Sequence, residues 1–507
     1  MKINAAAGID GITAKDLKNV NQELSRALVK PINDCIKTSI FPNSLKETRI
    51  KALYKGTGSK KNPSNYRPIS VLSNLSKIFE RLLYQRFFMF LNKFNVISNL
   101  QFGFLPNSNT TASALHAITR IQESLNEKGK NVTGAIFVDL SKAFDSIEHE
   151  ILLLKLERVG IRGNANRLMQ EYLFNRRQFV QYDDIKSQPR SIRHGVPQGS
   201  CLSSLLYLIY VNDCFHLDLN GYIQMYADDT ILIYSCDSLN QLQMMMQTDL
   251  LKLNEWMYNN SLSLNASKTT YMIFKRTSRT QLEIPPIYVN DVEIRRTERA
   301  KYLGLTIDDQ LNWKAHVENL LNTLSPYLFI FKRTRYAIPR STRLALYYSH
   351  FHSHMTYMIS LWGYGNKTQL QQLQIMQNKV IRNLFWQEYH RGIVNTASIY
   401  RMNNILQVEQ LIKYDSNLMI YKIKNNYIRN NMELRTFEHQ HSYHTRNRTN
   451  FILPNTRLDI LRNSMFARGL SEYNSLPQDV KDMQRVQDFK RNMKNMILEY
   501  ELIRSNT

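Results

Sequence analysis

A chain of 507 residues exceeds one average domain and implies about two to four lobes with cores of their own. Its 43% apolar and 21% charged fractions are those of a globular protein and exclude a disordered one. Lys and Arg number 66 against 42 Asp and Glu, a formal charge of +24; a surplus that large points to nucleic acid, with a membrane surface or a ribosomal assembly as plainer alternatives.

Residues 13–40 read as one helix, N-capped by Thr13 and stopped by Pro42. Lys51 to Pro68 reads as a loop ending in Asn65-Tyr66-Arg67-Pro68, and Leu72 to Phe94 resumes helical periodicity. Ala135 to Val138 is a short apolar strand running straight into Asp139, followed by helices over about 147–159 and 165–174. Gly195 and Gly199 bracket a loop ahead of an apolar helix, Leu202 to Val211. Ile223 to Tyr226 and Thr230 to Tyr234 are strands divided by only three residues, a hairpin. Leu242 to Met257 is helical, and strands follow at Tyr271–Phe274, at Ile287–Ile294 with a turn at Asn290-Asp291, and at Tyr302–Ile307. Past about residue 310 the strands stop. Asn366 caps a helix in which Leu370, Leu373, Met376, Val380 and Leu384 recur at helical spacing. Helix dominates the remainder, apart from a polar, Asn-rich stretch from Asn425 to Asn450. The order is a mixed α+β core between helical flanks, which argues against a doubly wound parallel sheet.

Cys35, Cys201, Cys214 and Cys236 form no C-x-x-C pair, so neither a zinc knuckle nor a disulfide framework is expected, and an intracellular reducing environment fits. The opening MKINAAAG lacks the apolar core of a signal peptide, and the longest apolar run, Leu205 to Val211, is too short for a bilayer.

Asp139 ends an apolar strand, and Asp228 and Asp229 sit at a hairpin tip. Each has a dull explanation, since Asp terminates strands and tolerates the backbone of tight turns. If strand and hairpin are neighbours in one sheet, three carboxylates converge at one edge and repel unless cations neutralise them. Hard oxygen ligands of this kind suit Mg²⁺, and two such ions stabilise the attacking and leaving oxygens of phosphoryl transfer. In so basic a chain, that is a nucleotidyl-transfer site.

Phe137-Val-Asp-Leu-Ser-Lys-Ala-Phe-Asp145, His194-Gly-Val-Pro-Gln-Gly-Ser200 and Tyr226-Ala-Asp-Asp229, in this order, resemble the core motifs of reverse transcriptases. The subtype resembles the polymerase of non-LTR (LINE-type, Jockey-like) retrotransposons. Ala7-Gly-Ile-Asp-Gly11, Tyr66-Arg-Pro-Ile-Ser70, Lys77-Ile-Phe-Glu-Arg81, Gln101-Phe-Gly-Phe104 and Tyr302-Leu-Gly-Leu305 fit it, over about residues 7–310. Ser204, where the family usually has Pro, and Leu105, at a position more often basic, depart from the pattern.

The resemblance implies an α+β right-hand polymerase fold with fingers, a palm built on an antiparallel sheet, a helical thumb and a helical C-terminal region. N-terminal helices and fingers would occupy 1–133, the palm 134–309 with part of the fingers at about 160–200, the thumb 310–400 and a helical extension 401–507. The reverse transcriptase domain as a whole would cover about 35–309. Asp139, Asp228 and Asp229 carry over as ligands of two Mg²⁺ ions, Mn²⁺ being the alternative, with the backbone of Leu140 assisting. Phe144 carries over as the steric gate beneath the incoming sugar, so that the product is DNA; the plain alternative is a core Phe. Arg67 and, from the fingertip, Lys55 would contact the triphosphate. Gln198 would bond near the sugar, with Gly199 letting the nucleic acid approach, and Lys268 is a candidate general acid for pyrophosphate. Lys332, Arg333, Arg335, Arg340 and Arg343, interleaved with aromatics, suit a duplex backbone.

The expected partners are an RNA template, a DNA primer and dNTPs, without a membrane; which proteins it meets is unknown from the sequence. The expected compartment is the nucleus, with the cytoplasm as alternative. Family motifs begin almost at Met1, so an endonuclease domain ahead of the polymerase, and cleavage of target DNA with it, is not expected. His350/His352/His354 and His439/His441/His444 lack acidic or Cys partners, so they are read as incidental rather than metal-binding. Two rivals stand beside this reading: an RNA-dependent RNA polymerase, against which Ala227 and Phe144 argue, and a catalytically silent or domesticated nucleic-acid-binding remnant.

Overall fold

The computed structural model describes residues 6–129, 132–275, 284–390, 394–429, 432, 434–439 and 448–506. The first helical stretch is two helices, α1 (Ala14–Asn19) and α2 (Asn21–Thr38). Thr13 caps α1 in a capping box with Asp16, but Val20 leaves the helical region (φ −110°, ψ 33°) and breaks the run. Much of the expected loop at Lys51–Pro68 is sheet: β1 (Glu47–Tyr54) and β2 (Tyr66–Val71) pair antiparallel, leaving only residues 55–65 as a tip. These strands are half exposed and rich in Lys, Arg and Tyr, and Pro68 sits on the outer strand where a missing N–H is tolerated.

Next come α3 (Asn74–Lys93) and α4 (Thr110–Asn126), the latter capped by Asn109. The chain continues through β3 (Val132–Val138), β4 (Leu140–Ser141), α5 (His149–Arg158) and α6 (Asn164–Leu173). β5 (Arg177–Tyr182) runs parallel to β1 and carries β6 (Ile185–Lys186) and β7 (Arg190–Ser191). Then follow α7 (Cys201–Val211), β8 (Tyr222–Tyr226), β9 (Asp229–Cys236), α8 (Leu239–Asn259), β10 (Ser263–Leu264) and β11 (Thr270–Phe274). Short strands complete this half: β12 (Tyr288–Val289), β13 (Val292–Glu293), β14 (Arg295–Arg296), β15 (Arg299–Tyr302) and β16 (Leu305–Asp308). Asn290 and Asp291, both at positive φ, make the β12–β13 turn that the sequence predicts.

The central sheet has the order β14-β11-β3-β9-β8, antiparallel except at β14. Every residue of β3 is buried because the sheet is covered on both faces. With a period of two, Ala135 and Phe137 enter the core shared with α4, while Ile136 and Val138 enter the core shared with α7 and α8. That double covering explains why the strand reads as an uninterrupted apolar run. Together these elements make a mixed α+β architecture, a mostly antiparallel sheet covered by helices on both faces.

Beyond β16 the described chain is helical apart from one isolated bridge, Thr436 to Phe451. α9 (Lys314–Thr334) and α10 (Arg340–Leu346) lead through a π-helical turn at Tyr347–His352 to α11 (Ser353–Thr356), α12 (Ile359–Trp362) and α13 (Lys367–Leu384), which Asn366 caps. This region is not a separate lobe. Its apolar side chains join the α4 side of the sheet in one core, and Asn126 at the end of α4 donates to Asn455 and accepts from the backbone of Arg457 and Leu458. No helix among the described residues is long and apolar enough to cross a membrane.

Candidate active site

The register of the sheet sets the acidic cluster. β3 pairs with β9 as far as Val138 opposite Thr230, so Asp139 leaves its strand beside Asp229, and Asp228 occupies the tip between Tyr226 and Asp229. The tip is a two-residue loop, Ala227-Asp228, with Ala227 at φ 56°. Positive φ at the first loop position is what a type II′ hairpin turn calls for, normally from Gly. The three carboxylates therefore meet at one edge of the sheet.

Both hairpin carboxylates reach solvent, yet enough protein surrounds them to disfavour their charged forms. Burial, then the charges of Asp228 and Asp139, pushes the Asp229 carboxyl up to about 6. Burial also raises Asp228, with Asp139 adding and Arg67 opposing. Lys268 Nζ lies 3.7 Å from Asp139 Oδ2. Asp139 is fixed through its backbone: its N–H donates to Thr269 Oγ1 at 3.2 Å and its carbonyl accepts from Asn265 at 2.9 Å. Leu140 pairs with Leu264 across the β4–β10 ladder. Among the described residues no three His, Cys, Asp or Glu side chains close on one another tightly enough to form a finished metal site. An open set of mutually repelling carboxylates is the donor chemistry that a hard divalent cation completes with phosphate and water oxygens, so the residues present fit one.

A second loop laces onto this edge. Val196 donates to the carbonyl of Phe144 at 3.0 Å and Gly195 to that of Ile147 at 2.7 Å. Gly195 (φ 82°) has no room for a side chain, since a Cβ there would stand 2.9 Å from the Asp145 backbone. Gln198 Nε2 donates to Asp145 Oδ1 at 2.9 Å, and the Gln198 carbonyl accepts from Ser70 at the end of β2 at 2.8 Å. Asp145 and Gln198 line a cavity with Ile50 of β1 and Pro68 and Ser70 of β2, and Phe144 adjoins it through the Val196 bond. Arg67 projects from β2 close enough to influence Asp228. Lys55 is engaged locally, donating to the Ser64 carbonyl at 2.8 Å within its own tip.

Two supports were not legible as such in the sequence. Gln101 is buried, and its side-chain oxygen accepts from Gly103 at 2.8 Å and from Ala227 at 3.0 Å. Glu80, fully buried, accepts from Ser200 Oγ at 2.8 Å and Tyr172 at 3.0 Å under the Gln198 loop, and burial raises its carboxyl against the opposing pull of Arg176. Both lie in motifs picked out on resemblance, but nothing in their spacing announces which side chain turns inward.

The basic set beyond residue 325 divides. Arg343 is buried and bonds the carbonyls of Arg335 at 3.0 Å and Asn383 at 3.3 Å, so the expectation that it meets a nucleic-acid backbone is corrected. Its face of α10 turns in against α13. Arg340 is occupied by Glu388, Asn403 and the ring of Phe385, and Arg335 by Asn383, Tyr336 and Trp386. Lys332 and Arg333 face outward, Arg333 over the exposed ring of Phe329. Of the departures from the family pattern, Ser204 bonds the Cys201 carbonyl at 2.8 Å and Leu105 is buried. His350 and His354 flank the ring of Tyr327, whereas His441 and His444 lie outside the described residues.

Residues 59–307 match the family described as reverse transcriptase (RNA-dependent DNA polymerase). The probable RNA-directed DNA polymerase from transposon BS of Drosophila melanogaster is 27% identical over 424 residues, covering 81% of this chain and 46% of that protein. The RNA-directed DNA polymerase from mobile element jockey of the same species is 26% identical, covering 80% of this chain and 45% of that protein. The chain therefore spans less than half the length of these relatives. Among solved structures, a telomerase from Candida albicans in complex with a fragment of telomeric RNA is similar at 12% identity and a TM-score of 0.41, over 80% of this chain and 62% of that one. Reverse transcriptases work with divalent metal ions.

Proposed function

We infer that this chain, whose residues 59–307 form a reverse transcriptase domain, is the RNA-directed DNA polymerase of a non-LTR retrotransposon, extending a DNA primer on an RNA template with dNTPs. The observation that carries the reading is the meeting of Asp139 with Asp228 and Asp229 at one sheet edge, beside the loop that holds Gln198. Asp139 and Asp228, with Asp229 and the backbone of Leu140, would hold two Mg²⁺ ions or Mn²⁺ in their place. Bound there, the ions would supply charge stabilisation to the attacking and leaving oxygens.

The remaining work belongs to side chains. Arg67 binds the triphosphate from above with its planar guanidinium. Phe144 fills the space a 2′-hydroxyl would need, and Gln198, held by Asp145, orients the sugar. Lys268, already within ion-pair reach of Asp139, delivers a proton to the departing pyrophosphate. Lys332 and Arg333 track the duplex backbone. The map that goes with this reading is fingers to about 133, palm over 134–309, thumb over 310–400 and an extension to 507.

Primer extension on poly(rA)/oligo(dT) tests it, with Asp228→Ala alongside. We expect dTTP incorporation by the wild type and none by the variant. Incorporation of rNTPs but not dNTPs refutes the assignment. Equal primer–template binding by both proteins, with no synthesis by either, identifies a silent nucleic-acid-binding remnant.

A further inference from the structure

Three aromatic rings from three distant segments meet beside the loop that carries Gln198. The Phe144 ring lies parallel to that of Tyr207 on α7, centroids 4.7 Å apart and planes 19° apart. From another side Phe104 meets it edge-on, at 5.7 Å and 87°. Tyr207 is fully buried, and its hydroxyl has no hydrogen-bond partner among the described residues. Phe104 is 45% exposed and adopts φ 57°, a left-handed backbone that a bulky residue avoids without support. Its support is visible: the preceding Phe102 donates to Met225 at 2.8 Å, and Gly103 donates to Gln101, the same side chain that holds Ala227. Strain of this kind persists where surrounding structure enforces it, and it collects at functional positions.

We propose that Phe104 and Tyr207 are positioning residues for sugar selection, clamping Phe144 from two sides so that its ring cannot yield to a 2′-hydroxyl. The inference rests on Phe144 being the gate. A wall discriminates by clash only if it does not give way, and Phe144 by itself hangs from a turn, half exposed to the cleft. Tyr207 blocks retreat along the ring normal, and Phe104 blocks tilting. Stacked and edge-to-face geometries are the two that aromatic quadrupoles favour, so the clamp is attractive as well as steric. Because Gly103, next to Phe104, and Ala227 hang from the same Gln101, the gate also keeps its place relative to the carboxylates.

The test is the ratio of kcat/KM for a dNTP to that for the matching rNTP, measured in the full-length chain with divalent metal. The variants are Phe144→Val, Phe104→Ala, Tyr207→Leu and Tyr207→Phe. Phe144→Val should largely abolish discrimination. Phe104→Ala and Tyr207→Leu should each lower the ratio by about 3- to 10-fold, the scale of one aromatic pair, chiefly through better use of rNTP. Tyr207→Phe, which keeps the ring, should leave the ratio unchanged. A ratio unmoved by Phe104→Ala, in a protein where Phe144→Val collapses it, overturns the clamp and leaves the gate standing. A ratio unmoved by Phe144→Val overturns the gate itself. Should Tyr207→Leu not fold, Phe104→Ala, at a partly exposed site, decides the matter.

Discussion

Gln101 and Ala227 lie 126 positions apart and are joined by a 3.0 Å hydrogen bond from the Ala227 backbone to the Gln101 side chain. The bond matters because Ala227 is the first residue of the hairpin tip that presents Asp228. Beside it, Gly103 passes so close that a Cβ would stand 2.2 Å from the Ala227 nitrogen. Gly103→Ala must push the hairpin outward, and displacement of a reacting group by about 1 Å costs on the order of 100-fold in rate. We expect polymerisation to fall by that order with primer–template affinity retained, as gel shift and single-turnover extension would show. Equal activity in Gly103→Ala would mean the brace does not set the carboxylates.

Gln101→Leu acts by another route. It leaves two buried N–H groups without an acceptor, each costing about 1–3 kcal/mol. The melting temperature should drop along with activity, whereas Gln101→Glu, which keeps the oxygen, should retain more of both.

Glu80 makes a prediction about charge. It is fully buried and lies within electrostatic reach of Arg176, which is 1% exposed. Removing one partner strands the other, so Glu80→Leu should destabilise by about 3–5 kcal/mol. The double variant Glu80→Leu/Arg176→Met should cost less than the sum of the single changes. Denaturant titration of the four proteins gives the coupling, and strict additivity would rule it out.

His316 gives the chain an acid-sensitive point. Burial holds its pKa at about 4, and its Nδ1 accepts from the Thr306 backbone at 3.3 Å, so the folded ring is neutral. The unfolded ring takes its proton near 6.5. Between those values the unfolded state binds more protons, so stability is complete above about 6.5 and falls as pH drops towards 4. Full titration across that window is worth roughly 3 kcal/mol. His316→Asn keeps an acceptor and removes the titration. Its denaturation midpoint, followed through the fluorescence of Trp313 and Trp362 beside it, should vary less between pH 7.5 and 5 than that of the wild type.

The final prediction concerns boundaries. The family match ends at 307, but α4 shares its core with helices beyond 310. A fragment stopping at residue 309 should aggregate, whereas one carrying those helices should be soluble. Size-exclusion chromatography separates the outcomes.

What the sequence disclosed and what it hid follow from how each signal is written. The Asp139 strand and the hairpin were legible because their apolar runs are short, bounded and close to the catalytic motifs. β1 and β2 were missed because strands with charged, half-exposed residues carry little hydrophobic signal. α4 passed without notice although 12 of its 17 residues are buried. Its buried positions include Ser113, His116, Thr119, Gln122 and Ser124, so polar residues interrupt the apolar pattern by which a buried helix is recognised. Arg343 misled because charge predicts exposure only on average, and its guanidinium was needed to satisfy two carbonyls across a helix contact. Gln101, Glu80 and Thr269 could not be found by residue type, since their work is to face inward.

The bond from Asn126 to Asn455 spans 329 positions. During translation, α4 emerges with one face intended for helices that do not yet exist. At about 5–20 residues per second, that face waits for some tens of seconds before its partners leave the ribosome. An apolar surface exposed for so long is a target for holding chaperones, and premature termination anywhere between those two asparagines leaves it uncovered. Yield of this chain in a host should therefore depend on slow, cool expression more than on the quality of its finished fold.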